Sequence, residues 1–113
     1  MSEDFEKKML AGVAYRMFCE ELQRHLSASS TFFAQPEWTP EQLKEASGRF
    51  HTIRGGAGFF KLTELSALAG ELEKGLLNGS AAEVASRRAS LEELDRKLRE
   101  VAQGMPQPAG GHV

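Results

Sequence analysis

The stretch FHTIRGGAGFF, residues 50–60, decides the fold. It reads either as a helix end followed by a glycine loop, or as a helix that runs through its own glycines. Apolar residues enter it as Leu43, Ala46, Phe50 and Ile53 and leave it as Ala57 and Phe60, always three or four apart. The period survives the glycines, so the spacing predicts one continuous helix. Upstream, TPEQ supplies a start signal. Thr39 is a good N-cap, Pro40 suits the first helical position, and Gln42 completes a capping box.

Helical periodicity recurs on both sides. From about Glu3 to Ser29, Phe5, Met9, Val13 and Met17 and then Phe18, Leu22 and Leu26 fall at four-residue steps and predict a long first helix whose stripe drifts along a bundle. SASSTFFAQPEW then reads as a loop whose rings pack on the bundle end. A third helix is expected from an N-cap near Thr63, with Leu65, Leu68, Ala69, Leu72 and Leu76 as its stripe, ending at Asn78 and Gly79 in a left-handed conformation. Ser80, with Glu83 in the capping-box position, opens a fourth. Its stripe is Val84, Leu91, Leu94, Leu98 and Val101, and the pairs Glu92–Arg96, Glu93–Lys97 and Asp95–Arg99 form its solvated face. Gly104 and Pro106 stop it. The expectation is an all-α, antiparallel up-down four-helix bundle over residues 1–104, followed by a flexible tail or linker over 105–113.

Bulk properties exclude several classes. A chain of 113 residues is enough for one modest core. A net charge of −2 and the lack of a basic block argue against nucleic acid as a partner. No apolar run reaches the ~18 residues of a membrane span. The start, MSEDFEKKML, is too charged for a signal peptide. Cys19 is the only cysteine and reads as a buried apolar thiol, which fits a cytoplasmic protein. No metal or other cofactor is expected. His25, His51 and His112 are the only histidines, none paired at helical spacing with another histidine or cysteine; His25 reads as a helix-surface residue and His112 as incidental.

What remains is the question of why glycines surround His51. Helix geometry puts Ser47, Gly48, Arg54, Gly55 and Gly58 on its face. Interior glycine is worth roughly 0.8–1 kcal/mol less than alanine, so Gly48, Gly55, Gly56 and Gly58 together cost on the order of 3 kcal/mol. Bare backbone would let another protein approach the imidazole. Other readings are a loop at GGAG, glycines that let two helices pack closely, or an ordinary surface histidine. A tight turn near Lys61–Leu62 would set level the residues whose numbers sum to about 124. His51 then meets Glu73, Arg54 meets Gly70, and Gly58 meets Ser66. A free imidazole titrates near pH ~6.5, so one ring nitrogen is an available nucleophile near neutrality. A carboxylate on the other nitrogen fixes the tautomer and steadies the cation formed on attack. Arg54 can offset the charge of an incoming phosphoryl group.

HTIRGGAG, its approach EQLKEASGRF and the downstream LSALAGELEKGL resemble the histidine-containing phosphotransfer (HPt) domain family. The resemblance implies a four-helix bundle with a phospho-accepting histidine, His51. It implies Arg54 as the basic residue beside the phosphoryl group, Gly55 as the close-approach glycine and Glu73 as the hydrogen-bonding acid. Ser47, Gly48, Gly55, Gly58, Ser66 and Gly70 would form the docking face. It implies phosphorelay signal transduction without an independent ATP site. The partners would be a response-regulator receiver domain, a histidine kinase, or both, and the chain a monomer. Alternatives are the N-terminal phospho-acceptor domain of a chemotaxis-type histidine kinase and an interaction bundle without chemistry. The chain departs from the family at Lys61, where glycine or asparagine is usual, and at Gly70, where the chemotaxis-kinase branch often has a second histidine.

Overall fold

A computed structural model describes the backbone of residues 2–108 and the side chains from residue 12 onward. It is all-helical, with five helices among the described residues: α1 (Ser2–Ala34), α2 (Pro40–Phe59), α3 (Thr63–Leu77), α4 (Ala81–Ala85) and α5 (Arg88–Gln103). His112 and the last residues of the expected tail lie outside the described residues.

The helix through the glycines forms as its spacing predicts. Thr39 caps α2 by accepting from the Gln42 amide, and the Gln42 side chain answers the Thr39 amide at 2.8 Å. Leu43, Ala46, Phe50, Ile53 and Ala57 turn inward and are buried. The turn into α3 ends α2 with a pair of hydrogen bonds. The Leu62 amide donates to the Ala57 carbonyl at 2.8 Å and the Lys61 amide to the Gly58 carbonyl at 3.1 Å. This is a Schellman closure, and it requires a left-handed residue at Lys61, whose φ is 59°. The turn keeps its tight geometry although glycine is missing. α3 begins after Leu62 without a side-chain cap, so Thr63 is its first residue and not its cap.

Each helix meets its neighbours through specific contacts. His51 meets Glu73 across α2 and α3. Phe18 of α1 lies against Gly56 of α2, Gly75 of α3 against Leu91 of α5, and Ser29 of α1 against Asp95 of α5. Leu22, Leu26, Leu65, Leu72, Leu76 and Leu98 complete the core with the α2 stripe.

Four expectations are corrected. First, α1 does not end at Ser29 but runs through the serines to Ala34. Leu22, Leu26, Ser29 and Phe32 keep the helical period and are all buried, so packing overrides the weak propensity of the serine run. Phe32 and Trp38 are buried too and stack at 4.4 Å, which makes the short connection part of the core. Second, the stripe of Val13 and Met17 is exposed; here α1 turns Tyr15 and Phe18, not that stripe, onto Phe60 beside the end of α2. The side chains of Phe5 and Met9 lie outside the described residues. Third, the fourth helix is two. Ser80 and Glu83 cap α4 as expected, and the Ser80 amide and hydroxyl hold the Glu83 carboxyl below its ordinary range. The helix then breaks at Ser86–Arg87. Arg87 turns back to the Gly75 carbonyl at 2.9 Å and to that of Asn78, closing the end of α3. Arg88 stacks on Trp38 at 4.3 Å and donates to the carbonyls of Phe33, Gln35 and Pro36 at the end of α1. Asn78 itself is extended; Gly79 alone takes the positive φ, 105°. Fourth, Asp95 and Arg99 are not on a solvated face. Asp95 is buried and accepts from Ser29 Oγ at 2.9 Å and from Arg99 Nε at 2.8 Å, and Arg99 also reaches the Leu26 carbonyl at 2.7 Å. Arg96 pairs with Glu93 and Glu100, not with Glu92.

Cys19 is half-buried. His25 is also half-buried; its Nε2 lies 3.5 Å from Glu21 Oε1 and makes no hydrogen bond among the described residues. Beyond α5, Met105 packs on the core, and the Tyr15 hydroxyl donates to the Pro106 carbonyl at 2.6 Å. Burial, and then the neighbouring Cys19, push that phenol up to about 12, which keeps it a donor throughout the neutral range.

Two stability outcomes follow from this packing. Asp95→Ala strips the buried Ser29 hydroxyl and Arg99 guanidinium of their acceptor and lowers unfolding free energy by about 2 kcal/mol in urea titration. Lys61→Gly relieves the left-handed residue and raises it by roughly 1 kcal/mol.

Candidate functional site

The site follows from the register of α2 against α3. With Leu62 bonded back to Ala57, residues summing to 124 do face each other. His51 Nδ1 lies 2.9 Å from Glu73 Oε2. Arg54, one turn on, donates from Nε to Glu73 Oε1 at 3.0 Å. The ring is open to solvent, with 62% of the side chain exposed, whereas Glu73 is drawn in at 19%.

Arg54 Nη2 also approaches His51 Nδ1 at 3.0 Å. Nδ1 cannot serve both neighbours. A guanidinium only donates and a carboxylate only accepts, so the position of one proton decides between them. A bare Nδ1 would set its lone pair against Oε2 at 2.9 Å. The proton therefore belongs on Nδ1, facing Glu73. Arg54 is then a close cationic neighbour held by its bond to the carboxylate. With Nδ1 protonated, a neutral ring carries its lone pair on Nε2, which has no protein partner among the described residues. The arrangement offers a fixed, outward nucleophile with a cation alongside.

The glycines divide into two kinds. A Cβ at Gly48 or Gly55 would meet open space, and one at Gly58 would touch only Ser66 Oγ at 3.6 Å. These three are exposed and leave α2 bare around the ring. Gly56 is different. A Cβ there would lie 2.6 Å from the Phe18 ring, so this glycine lets α1 pack closely. Gly70 is half-buried and gives room to Arg54, whose Cδ would stand 3.0 Å from a Cβ. Ser66 is half-buried as well, and its hydroxyl donates to the Arg54 carbonyl at 3.0 Å.

One expected docking residue is corrected. Ser47 is only 4% exposed, and its hydroxyl turns back to the Lys44 carbonyl at 2.8 Å. Its place on the helix is one residue too close to the core stripe. The coupling of Arg54 to Glu73 is the part that sequence reasoning missed, although the level pairing of Arg54 with Gly70 would have placed the guanidinium within reach. Among the described residues no group of three or more His, Cys, Asp or Glu side chains could hold a metal ion, and no helix is long and apolar enough to cross a membrane.

Comparison with known proteins adds one match. The family model described as Hpt domain matches residues 13–104. No curated protein and no solved structure matches the chain.

The division of the glycines is measurable. Gly48→Ala and Gly55→Ala each raise stability by roughly 0.8–1 kcal/mol, because nothing opposes the added methyl. Gly56→Ala lowers it by about 1–3 kcal/mol through overpacking on Phe18. Thermal melts of the three variants resolve the sign, since 1 kcal/mol moves the midpoint of a domain this size by several degrees.

Proposed function

The chain belongs to the Hpt domain family, and on that premise we propose that it carries a phosphoryl group on His51 Nε2 and exchanges it with the aspartate of a receiver domain or with a histidine kinase. The observation that carries this reading is the pairing of an exposed imidazole with a half-buried carboxylate at 2.9 Å, which leaves the outward nitrogen free. Hpt domains act in phosphorelays with such partners.

The step is a displacement at phosphorus. The Nε2 lone pair attacks the phosphoryl group of an aspartyl phosphate. The N–P bond forms, the P–O bond breaks, and the donor's carboxylate leaves with the bonding pair. The proton on Nδ1 stays where it is, so the ring becomes a cation bearing a phosphoryl anion. Glu73 steadies that cation through the Nδ1–H bond. Arg54, anchored on Glu73 Oε1, lies near enough to offset phosphoryl charge. Transfer onward is the same displacement in reverse, with a carboxylate as nucleophile. The protein supplies nucleophile, orientation and surface, and the partner supplies the rest of the electrostatic stabilisation.

In this reading α1, α2, α3 and α5 form the antiparallel four-helix bundle, with α4 as a short lead into α5; the pairs His51–Glu73, Arg54–Gly70 and Gly58–Ser66, and Tyr15–Pro106 and Ser29–Asp95, whose numbers rise on one side as they fall on the other, support it. A monomer in the cytoplasm, ending as a domain near Gly104, is part of the same proposal, and the unpaired Cys19 thiol favours such a reducing setting.

Incubation with a phosphorylated receiver domain should place an acid-labile, base-stable label on the wild type and none on His51→Gln. Equal labelling of both would sink the proposal. Glu73→Ala should still accept label but about tenfold or more slowly, since a hydrogen bond to a charged group is worth about 1.5–3 kcal/mol.

A further inference from the structure

Phe59 is the most exposed large apolar residue of the described chain, with 77% of its surface open. Neither the core nor the pairing of His51 with Glu73 uses it. It stands on the bare side of α2, four residues beyond Gly55 and eleven beyond Gly48, where those glycines leave open space. Two turns separate it from His51, about 12 Å along the axis at 1.5 Å per residue. It is held from below, since its ring packs edge-on against Phe60 at 5.0 Å, and Phe60 in turn packs on Tyr15 and Phe18. On α1, Met17 and Val13 lie level with the same end of α2 and are exposed too.

The chemistry of phosphoryl exchange fixes where a partner must sit, and to this extent the inference rests on the reading of His51 given above. Its carboxylate has to reach Nε2. A standard interface takes about 800 Å² from each side, a disc of roughly 16 Å radius. Phe59 lies inside such a footprint. Charge agrees with that occupant. Between Glu45 and the end of α2 the only charged side chains are Arg49 and Arg54, and Lys61 follows in the turn. Arg49 is paired with Glu45 and Arg54 with Glu73, so the net charge beside Phe59 comes from Lys61, and α2 carries no acidic side chain beyond Glu45 to repel the acidic surround of an aspartyl phosphate.

We propose that Phe59 is the apolar anchor on which the phosphoryl-exchange partner docks. The partner is a receiver-type protein with an apolar patch about 12 Å from its phosphoryl-bearing carboxylate. Phe59 touches no reacting atom; it sets affinity and orientation. Large aromatic side chains that become buried on binding are enriched among the carriers of binding energy.

The test separates docking from chemistry. Wild type and Phe59→Ala are each phosphorylated with phosphoramidate, a small donor that needs no docking surface, and each is then titrated against receiver domains from the same genome. Phe59→Ala should take up label from phosphoramidate as the wild type does. Its transfer to the receiver should lose about tenfold or more in kcat/KM, expressed chiefly in KM. Because the ring is exposed, the variant folds, and a matching thermal melt verifies this. Unchanged transfer overturns the proposal. So does an equal loss of phosphoramidate labelling, which would make Phe59 part of the reactive site. A wild-type dimer that Phe59→Ala dissolves without affecting transfer overturns it as well, by assigning the patch to a second copy. Failure of phosphoramidate to label wild-type His51 instead sinks the phosphotransfer reading, and this inference with it.

Discussion

A turn of three residues governs this molecule. The bonds from Leu62 to Ala57 and from Lys61 to Gly58 leave no slack between α2 and α3. A shift of one residue in that connection would rotate α3 by about 100° relative to α2 and carry Glu73 away from His51. The imidazole, carboxylate and guanidinium meet because a backbone closure at Leu62, eleven residues from His51 and eleven from Glu73, sets their register. The closure holds although its left-handed position is a lysine, a conformation that costs an L-residue about 1–2 kcal/mol. Burial of Leu65, Leu72 and Leu76 against the α2 stripe outweighs that strain.

The other end of the molecule is held by a different device. Three arginines near the start and middle of α5 reach into backbone carbonyls of other helices. Arg87 closes α3, Arg88 closes α1, and Arg99 reaches the Leu26 carbonyl within α1. Cations at helix C-termini satisfy both the orphan carbonyls and the negative pole of the dipole. This explains why the chain between Val84 and Leu91 breaks into two helices: the break frees Arg87 and Arg88 to point at two separate targets.

Much of the core region was legible in advance. The caps at Thr39 and Ser80 are local chemistry, and local chemistry is what a sequence displays directly. The continuity of α2 was legible because Ala57 and Phe60 kept a period that a loop has no reason to keep. The meeting of His51 with Glu73 followed from a short turn and simple counting. The misses have a common cause, which is that they depend on partners distant in the chain. The serine run of α1 looked like a loop until Phe32 and the Ser29–Asp95 bond were in place. Asp95 and Arg99 looked solvated because an i,i+4 pair reads the same whether or not another helix lies over it. Gly56 looked like its neighbours because only the position of Phe18 tells it apart. Phe59 had no role in the periodic pattern, and its exposure is visible only in three dimensions.

The assignment of the ring proton to Nδ1 has a consequence for the transfer cycle. Nδ1 keeps that proton, hydrogen-bonded to Glu73, before, during and after each transfer, so the displacement on a neutral ring moves no hydrogen ion on or off this nitrogen. The inner hydrogen bond therefore survives every cycle unbroken, and the carrier needs no second proton-moving group beside the ring.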